Sequence, residues 1–578
     1  MNNARIADVF EEVADLLEFR AANPFRVRAY RKGAQTLRDL PEPVTAILAD
    51  PQRDLTDIPG IGQDLADKCA TLVATGQLPL LNELLAEIPE SVLGLMRIPG
   101  LGPKRAAQLY KELHVTTLAE LKAACEAGRV RGLKGFGAKT EQGILAGMHV
   151  AETAQVRMLW AEADVMAQAL LAHLRGCPAV AQLETAGSYR RGKETIGDLD
   201  ALVVSQRPGE VMDALAQFAE VVETLSRGET KMSVRTERGL QIDLRVVPAE
   251  SFGAALQYFT GSKEHNVVLR GRARQQGLKV NEYGVFRLHG TQEQYVAGRT
   301  EAEVYAALQL PLFPPELREG RQEFQWADEG RLPRLIELDE IRGDLHMHTT
   351  ETDGKATLEE MVAAARQRGR EYIAITDHSQ RVTMARGMDG ARLVRQWKQI
   401  DRLNQRLGGD FVVLKGVECD ILENGRLDLP DDILAQADWV LASVHYGQKQ
   451  PREQITARIL GALENPHVSA IAHPTGRLIH RRDPYDVDLD AVIQAAARHG
   501  KMLELNANPM RLDLNDVHSA AARSRGVPIV IGTDAHSTDG LDTMRYGVLQ
   551  ARRAGLTRRD VANTRTLAQF RKLLARGR

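Results

Sequence analysis

The chain is poor in what would mark a secreted, membrane-spanning or disulfide-built protein. Its 578 residues include four cysteines, Cys69, Cys125, Cys177 and Cys419, widely spaced and without a Cys-x-x-Cys pair. That argues against a thiolate metal site or a disulfide framework and favours buried thiols in a reducing, cytoplasmic setting. No run reaches the ~18 apolar residues of a membrane span. The opening residues, Met1 to Asp8, reach an acid without any apolar stretch and do not read as a signal peptide. There is no surplus of either charge: 75 Lys and Arg stand against 77 Asp and Glu, for a net −2. A chain that holds cations with carboxylates in one region and phosphates in another averages to this value, so the balance neither names nor excludes a nucleic-acid partner. At roughly 100–200 residues per domain, the length predicts several domains.

Apolar residues at helical spacing (Ile6, Val9, Phe10, Val13, Leu16, Leu17) predict an amphipathic helix over 4–20. Asn23-Pro24 stops it, and a second helix is expected around Tyr30 to Leu40. A pattern then recurs: Ile58-Pro59-Gly60-Ile61-Gly62, Ile98-Pro99-Gly100-Leu101-Gly102 and, more loosely, Leu133-Lys134-Gly135-Phe136-Gly137. Each is followed by a helix-forming stretch, which is the helix-hairpin-helix pattern. Two glycines allow a tight turn with positive φ that points backbone N–H groups outward at a helix start, where they can hold a DNA phosphate. Gly60, Gly62, Gly100 and Gly102 are the candidate DNA-binding positions; the third copy reads equally as a structural turn.

Residues 151–175 read as one long helix, and from about 183 to 310 short β-runs alternate with turns and helices. Within them lies Gly187-Ser188-Tyr189-Arg190-Arg191-Gly192, then Gly197-Asp198-Leu199-Asp200. Two aspartates spaced by one residue at the head of a strand point to one face. Carboxylates that cannot pair with each other need a cation, and an all-oxygen set suits Mg²⁺ or Mn²⁺. A third acid, Asp243, lies on the later run Leu240 to Arg245, and antiparallel or neighbouring placement would bring it beside the pair. Asp-x-Asp alone is common in turns; with the Gly-Ser loop and the third acid it is the nucleotidyltransferase signature.

These motifs, with Tyr258-Phe259-Thr260-Gly261-Ser262, Asn266 and Arg270, resemble the palm and nucleotide-selecting segments of the family X DNA polymerases, relatives of DNA polymerase beta. The resemblance covers nearly all of residues 4–315. It implies a two-ion site of Mg²⁺ or Mn²⁺ on Asp198, Asp200 and Asp243 as catalytic residues. It also implies triphosphate binding by Ser188, Arg191, Gly197 and Gly261, sugar selection by Tyr258 and Phe259, minor-groove contact from Asn266 and template-strand contact from Arg270. The substrates implied are gapped or primed DNA and deoxynucleoside triphosphates. Gln241 and Lys263 depart from DNA polymerase beta, which has a basic residue and an acid there. Lys68 matches the Schiff-base lysine of that family's 5′-deoxyribose phosphate lyase, but Asp64 stands where a lysine occurs. Lyase chemistry and a solvated or phosphate-contacting lysine both stay open, because a Schiff-base lysine needs a lowered pKa.

Beyond a Pro-, Glu- and Arg-rich stretch at 311–342, short apolar runs end in metal-ligating types: Asp344-Leu345-His346-Met347-His348, Thr376-Asp377-His378, Gly416-Val417-Glu418, Val444-His445, Ala472-His473 and Thr533-Asp534-Ala535-His536. Strand–helix alternation predicts a parallel barrel, whose strand ends converge on one face. The clusters resemble the polymerase and histidinol phosphatase (PHP) domain over roughly 341–570. That implies a distorted (β/α)₇ barrel holding up to three ions, Mn²⁺ or Zn²⁺, on His346, His348, Asp353, His378, Glu418, His445, His473, Asp534 and His536. Glu418 is the expected bridging carboxylate. By resemblance to bacterial family X polymerases the barrel is expected to be a 3′→5′ exonuclease, with 3′-phosphatase or abasic-site endonuclease activity as further options. A barrel that serves only as a metal-stabilised scaffold, and a small-molecule phosphatase with an appended DNA-binding region, are the competing readings.

The expected fold is multidomain α/β. The expected parts are a helical helix-hairpin-helix domain at 1–80, a second at 81–150, an α+β nucleotidyltransferase palm at 151–249 and a nucleotide-selecting, thumb-like subdomain at 250–316. A linker at 317–340 and the PHP barrel at 341–578 complete it. No membrane contact is expected.

Overall fold

The computed structural model describes residues 3–40, 44–89, 91–96, 98, 101–138, 140–145, 157–290 and 292–575. They divide into two units, Met1–Arg157 and Met158–Arg578.

The first unit is helical. Helix Asn3–Phe19 buries Ile6, Phe10, Val13 and Leu17 against Pro24–Asp39, and Phe10 meets Tyr30 edge to face at 5.6 Å. The first helix ends at Phe19, ahead of Asn23-Pro24, and Asn23 starts the next: its side chain accepts from Phe25 N at 2.9 Å, satisfying one of the orphan donors of a helix start. The hairpins follow a common plan. The N–H of Ile61, Leu101 and Phe136 bonds the carbonyl three residues back, at Ile58, Ile98 and Leu133, and Gly62 and Gly102 cap helices Gln63–Thr75 and Pro103–Leu113. The third copy, the looser one in sequence, forms the same turn, with Gly135 at φ +85° like Gly60 at +104°. Gly100 lies outside the described residues.

In the second unit a five-stranded sheet has the order Gln182–Thr185, Asp198–Val204, Gln241–Val247, Lys231–Thr236, Val221–Arg227. Asp198–Val204 and Gln241–Val247 run parallel; the other pairings are antiparallel. The single helix expected over 151–175 is not found. Residues 151–156 lie outside the description, Met158–Leu159 pairs as a short strand with Thr195–Ile196, and the helix starts at Trp160 and runs to Arg175. Backbone bonds to the neighbouring strand override the helical periodicity at 158–159. Helices Phe252–Thr260 and Lys263–Gln275 and the antiparallel strands Leu278–Asn281, Gly284–His289 and Gln292–Ala297 follow.

The Pro-rich stretch is held down. Arg318 is fully buried, and helix Glu323–Asp328 places Trp326 under the Arg523 guanidinium at 5.0 Å. The C-terminal sheet has seven parallel strands in sequence order: Gly343–Asp344, Tyr372–Ile375, Val412–Asp420, Trp439–Ser443, Ala470–Ile471, Met502–Asn506 and Ile529–Gly532. A parallel bridge between Met347 and Ala535 brings the two edges together, so the barrel is nearly closed. Alternate strand residues face opposite ways. Ile373, Val413 and Val440 join the layer of surrounding helices, while Tyr372, Trp439 and Val530 pack together with Phe570 of helix Leu567–Leu574. Each large side chain so buried contributes roughly 1.5–3 kcal/mol.

Candidate active sites

In the palm, strand register does what the sequence spacing implied. Asp200 pairs directly with Asp243 across the parallel strands, and Asp198 pairs with Gln241, so the three carboxylates share one face. Burial first, then the neighbouring Asp198 and Asp243, push the Asp200 carboxyl up to about 7. Like charges brought together this way call for a cation. Gly187 is required beside them: at φ +63°, a Cβ there would lie 2.2 Å from Asp200 Oδ2. Asp243 is oriented by Ser233, whose hydroxyl donates to Oδ1, and by Gln241 Nε2 at 3.0 Å from Oδ2. Gln241, a departure from the family pattern, thus aims the third carboxylate.

Ser188 lies in the helical turn Gly187–Arg190, and Gly197 directly precedes the Asp198 strand. Arg191 donates to Thr260 O at 2.5 Å and to Glu319 Oε1 at 3.1 Å, and a Cβ at Gly261, where φ is +70°, would lie 3.3 Å from its Nη1. Tyr258 and Phe259 meet edge to face at 5.2 Å, with the Arg245 guanidinium 4.5 Å over the Phe259 ring. Asn266 is engaged within the protein, taking Gln257 Nε2 at 2.7 Å and giving to Tyr258 O at 2.8 Å. Arg270 donates to Asn266 O at 3.2 Å. Sequence reading missed Glu301, which receives two bonds from Arg190, at 2.9 and 2.7 Å, and one from Arg318. Burial alone would raise the Glu301 carboxyl, but Arg190 and Arg318 hold it at about 2.

In the first unit, a Cβ at Gly62 or Gly102 would meet nothing within 4 Å, which leaves room for a phosphate at both helix starts. Lys68 is ion-paired with Asp64 one turn earlier and lies 6.0 Å from the Tyr30 ring. Burial pulls its ammonium down, yet Asp64 and Tyr30 outweigh that and leave it raised.

At the barrel mouth all nine expected ligands come together. Three groups of donor atoms each lie within 4.8 Å: His348, Asp353, His378 and His536; His346, His348 and Asp534; His378, Glu418 and His445. Glu418 is central, with His473 Nε2 at 2.9 Å, His378 Nδ1 at 3.0 Å, and His346 and His445 both at 3.4 Å. His378 Nδ1 and Glu418 Oε2 have no hydrogen-bond partner despite that 3.0 Å approach, and neither have His346 Nε2 and His348 Nε2. Buried donors and acceptors are normally satisfied. Lone pairs aimed at common points, from a mixed nitrogen and oxygen set, fit bound divalent cations. Asp353, His378, Glu418, His445, His473, Asp534 and His536 line a cavity of about 310 Å³ with Val382, Met384 and Arg511.

The sixth strand was unread in the sequence. Glu504, on Met502–Asn506, lies 2.6 Å from His346 Nδ1 and accepts from His473 N at 2.7 Å. Its only sequence signal is a lone acid inside an apolar strand. Asp377 accepts from Thr349 N and Gln396 Nε2, at 2.8 and 2.6 Å, bracing the first two strand ends. Asp420 holds His445, from Nδ1 at 3.2 Å and N at 2.9 Å. Arg511 pairs with Asp534 at 3.2 Å.

Family models match along the chain. A helix-hairpin-helix domain matches residues 1–78 and a SAM-like helix-hairpin-helix tandem 92–148. DNA polymerase beta palm matches 157–239, DNA polymerase beta thumb 255–319 and PHP domain 344–508. A Bacillus subtilis (strain 168) protein named DNA polymerase/3'-5' exonuclease PolX is 39% identical over 578 residues, covering 100% of both chains. A protein of Acetivibrio thermocellus named "Probable phosphatase" is 32% identical over 202 residues, 33% of this chain and 78% of its own. A similarly named Thermoanaerobacter protein (strain X514) is 30% identical over 232 residues, 38% and 89% of the two chains. With palm, thumb, hairpins and barrel all matched and a relative aligned end to end, the chain belongs to the family X DNA polymerases that carry a C-terminal PHP domain.

Proposed function

We propose that the protein extends a DNA primer across short gaps during repair and removes nucleotides from 3′ ends with its barrel. One observation carries the first activity: Asp198, Asp200 and Asp243 share a face beside the Gly-Ser loop, in a chain aligned throughout with a named polymerase and exonuclease. The complete barrel ligand set supports the second. Named phosphatases among the relatives of the barrel make 3′-phosphatase the side activity to look for.

Divalent cations on the palm carboxylates and on the barrel donors would neutralise the charge that builds on the attacking and leaving oxygens of phosphoryl displacement. Two Mg²⁺ or Mn²⁺ suit the all-oxygen palm set, and Mn²⁺ or Zn²⁺, up to three, suit the histidine-rich barrel. The chain's own residues do the rest. Ser188, Arg191 and the backbone at Gly197 take the triphosphate, and Tyr258 and Phe259 fill the space a ribose 2′-OH would need. Gly62 and Gly102 present helix-start N–H groups to backbone phosphates. Lys68, paired with Asp64, is read as a phosphate contact and not as a lyase nucleophile. Gapped DNA and deoxynucleoside triphosphates are therefore the partners. Among the described residues no helix is long and apolar enough to cross a membrane. Buried free Cys69, Cys125 and Cys419 suit the cytoplasm.

The test is a labelled primer on a one-nucleotide-gapped duplex with Mn²⁺, with and without nucleotides. Asp198→Ala should lose extension and keep 3′ degradation, and His346→Ala the reverse. Undiminished degradation by His346→Ala would remove the nuclease from the barrel and leave it a scaffold.

A further inference from the structure

The polymerase's Gly-Ser loop rests on the barrel domain. Helix Met544–Arg553, packed so closely on the barrel that a Cβ at Gly547 would lie 2.5 Å from Ile531, turns one face to residues 191–193. Leu549 lies against Gly192, where a Cβ would meet it at 2.6 Å and where φ is +68°. Gln550 Nε2 donates to Gly192 O at 2.9 Å, and Arg553 Nη1 donates to Arg191 O at 2.7 Å. Positions 549, 550 and 553 are one side of a helix, so the contact is a continuous face.

The side-chain charges converge on the same loop. One Glu319 oxygen accepts from Arg191 Nε at 3.1 Å and Arg553 Nη1 at 2.8 Å; the other lies 3.3 Å from Lys193 Nζ. Arg553 Nη2 reaches Asp516 at 2.7 Å, and Arg321 reaches the same oxygen at 3.1 Å. The Glu319 and Arg553 side chains are only 6% and 2% exposed. A buried ionic network is a costly way to join two domains, since an apolar contact of the same size holds as well or better. Here it fixes both the backbone and the guanidinium of the one loop arginine expected to meet the triphosphate.

We infer that Glu319 and the barrel domain's Arg553 are positioning residues for nucleotide binding by the polymerase, so that the C-terminal domain forms the back wall of the triphosphate loop. This rests on Arg191 as a triphosphate ligand. A free arginine side chain has many rotamers to lose on binding a phosphate, and an arginine already held by Glu319 and Thr260 loses fewer. The polymerase then needs the barrel for nucleotide affinity, independently of the barrel's own chemistry.

The experiment uses the full chain and compares Arg553→Met, Glu319→Gln, Gln550→Ala and Arg191→Ala. Steady-state insertion on a gapped duplex gives KM and kcat for the nucleotide; degradation of single-stranded DNA and thermal melting run alongside. Arg553→Met and Glu319→Gln are expected to raise KM about fivefold, keep kcat within about twofold and leave degradation unchanged. Arg553→Lys should recover part of the KM. Should Arg553→Met fail to fold, Glu319→Gln and Gln550→Ala decide alone, and unchanged KM in both overturns the inference. A raised KM in Arg191→Ala with none in the other variants sinks the positioning role but keeps Arg191 as a ligand. An unchanged KM in Arg191→Ala removes the foundation itself. Parallel loss of both activities with a lowered melting point makes the network mere structure and overturns the inference as well.

Discussion

His346 turns its Nδ1 to Glu504 Oε1, 2.6 Å away, and its Nε2 toward Glu418 and Asp534, each at 3.4 Å. The carboxylate fixes the tautomer that leaves Nε2 with a lone pair for a cation, the outer-shell arrangement that makes a histidine a strong ligand. It also takes the His473 N–H at 2.7 Å, so one side chain orients two strand ends. Glu504→Ala should therefore raise the Mn²⁺ concentration for half-maximal 3′ degradation by about 10–100-fold. Primer extension should stay at the parental rate. A metal titration of both activities checks this, and an unshifted degradation curve would remove Glu504 from the site.

Glu504 also shows where the sequence stops being legible. His346 with His348, and Asp198 with Asp200, announce themselves because residues two apart in a strand share a face. Glu504 has no such neighbour; its partner is 158 residues away in the chain. Arg191 and Glu319 are separated by 128 residues, and Arg191 and Arg553 by 362. No local pattern could pair them. The hairpins went the other way: Leu133 to Gly137 departs from the motif in composition yet folds as the same turn, because the turn needs only two glycines and a buried apolar residue, Phe136. The helix expected over 151–175 is replaced at Met158–Leu159 by pairing with Thr195–Ile196, which was invisible to periodicity.

The hairpin glycines have separable tasks. Gly60, at φ +104° with Thr36 Oγ1 2.7 Å from a would-be Cβ, is there for the turn; Gly60→Ala should destabilise the domain by about 1–2 kcal/mol. Gly62 has ordinary extended backbone, φ −91° and ψ 173°, and open space around it. Gly62→Ala should cost only about 0.5 kcal/mol as a helix cap, yet its methyl would intrude on the place proposed for the phosphate. Thermal melting combined with gapped-duplex binding should show Gly60→Ala unstable and Gly62→Ala stable but weaker-binding. Equal binding by Gly62→Ala would mean that this hairpin does not hold DNA.

Glu301 links palm and thumb through Arg190 and Arg318, and its carboxyl sits at about 2 against an ordinary 4.5. A depressed carboxyl stabilises the fold above its unfolded value and loses that contribution as pH falls from about 4.5 toward 2, here about 3 kcal/mol. Glu301→Gln should be less stable than the parent at neutral pH, with the gap shrinking through that window. Chemical denaturation at stepped pH reads the difference. A gap that stays constant down to pH 2 would show that the charge on Glu301 contributes nothing.

Lys68 tests the lyase question directly. Burial lowers its ammonium and the pairing with Asp64 and Tyr30 raises it further, so the net shift is upward. A raised lysine keeps its pair through neutral pH and loses it only as pH climbs past the ordinary lysine range, the opposite of what a Schiff-base nucleophile needs. Borohydride reduction in the presence of a 5′-deoxyribose phosphate substrate at pH 7.5 should trap no more adduct on the parent than on Lys68→Ala. Asp64→Ala, by removing the stabilising anion, should raise trapping severalfold, and that gain should vanish in the double variant. Strong trapping by the parent that Lys68→Ala abolishes would establish the lyase and make the Asp64 pair a resting state that substrate displaces.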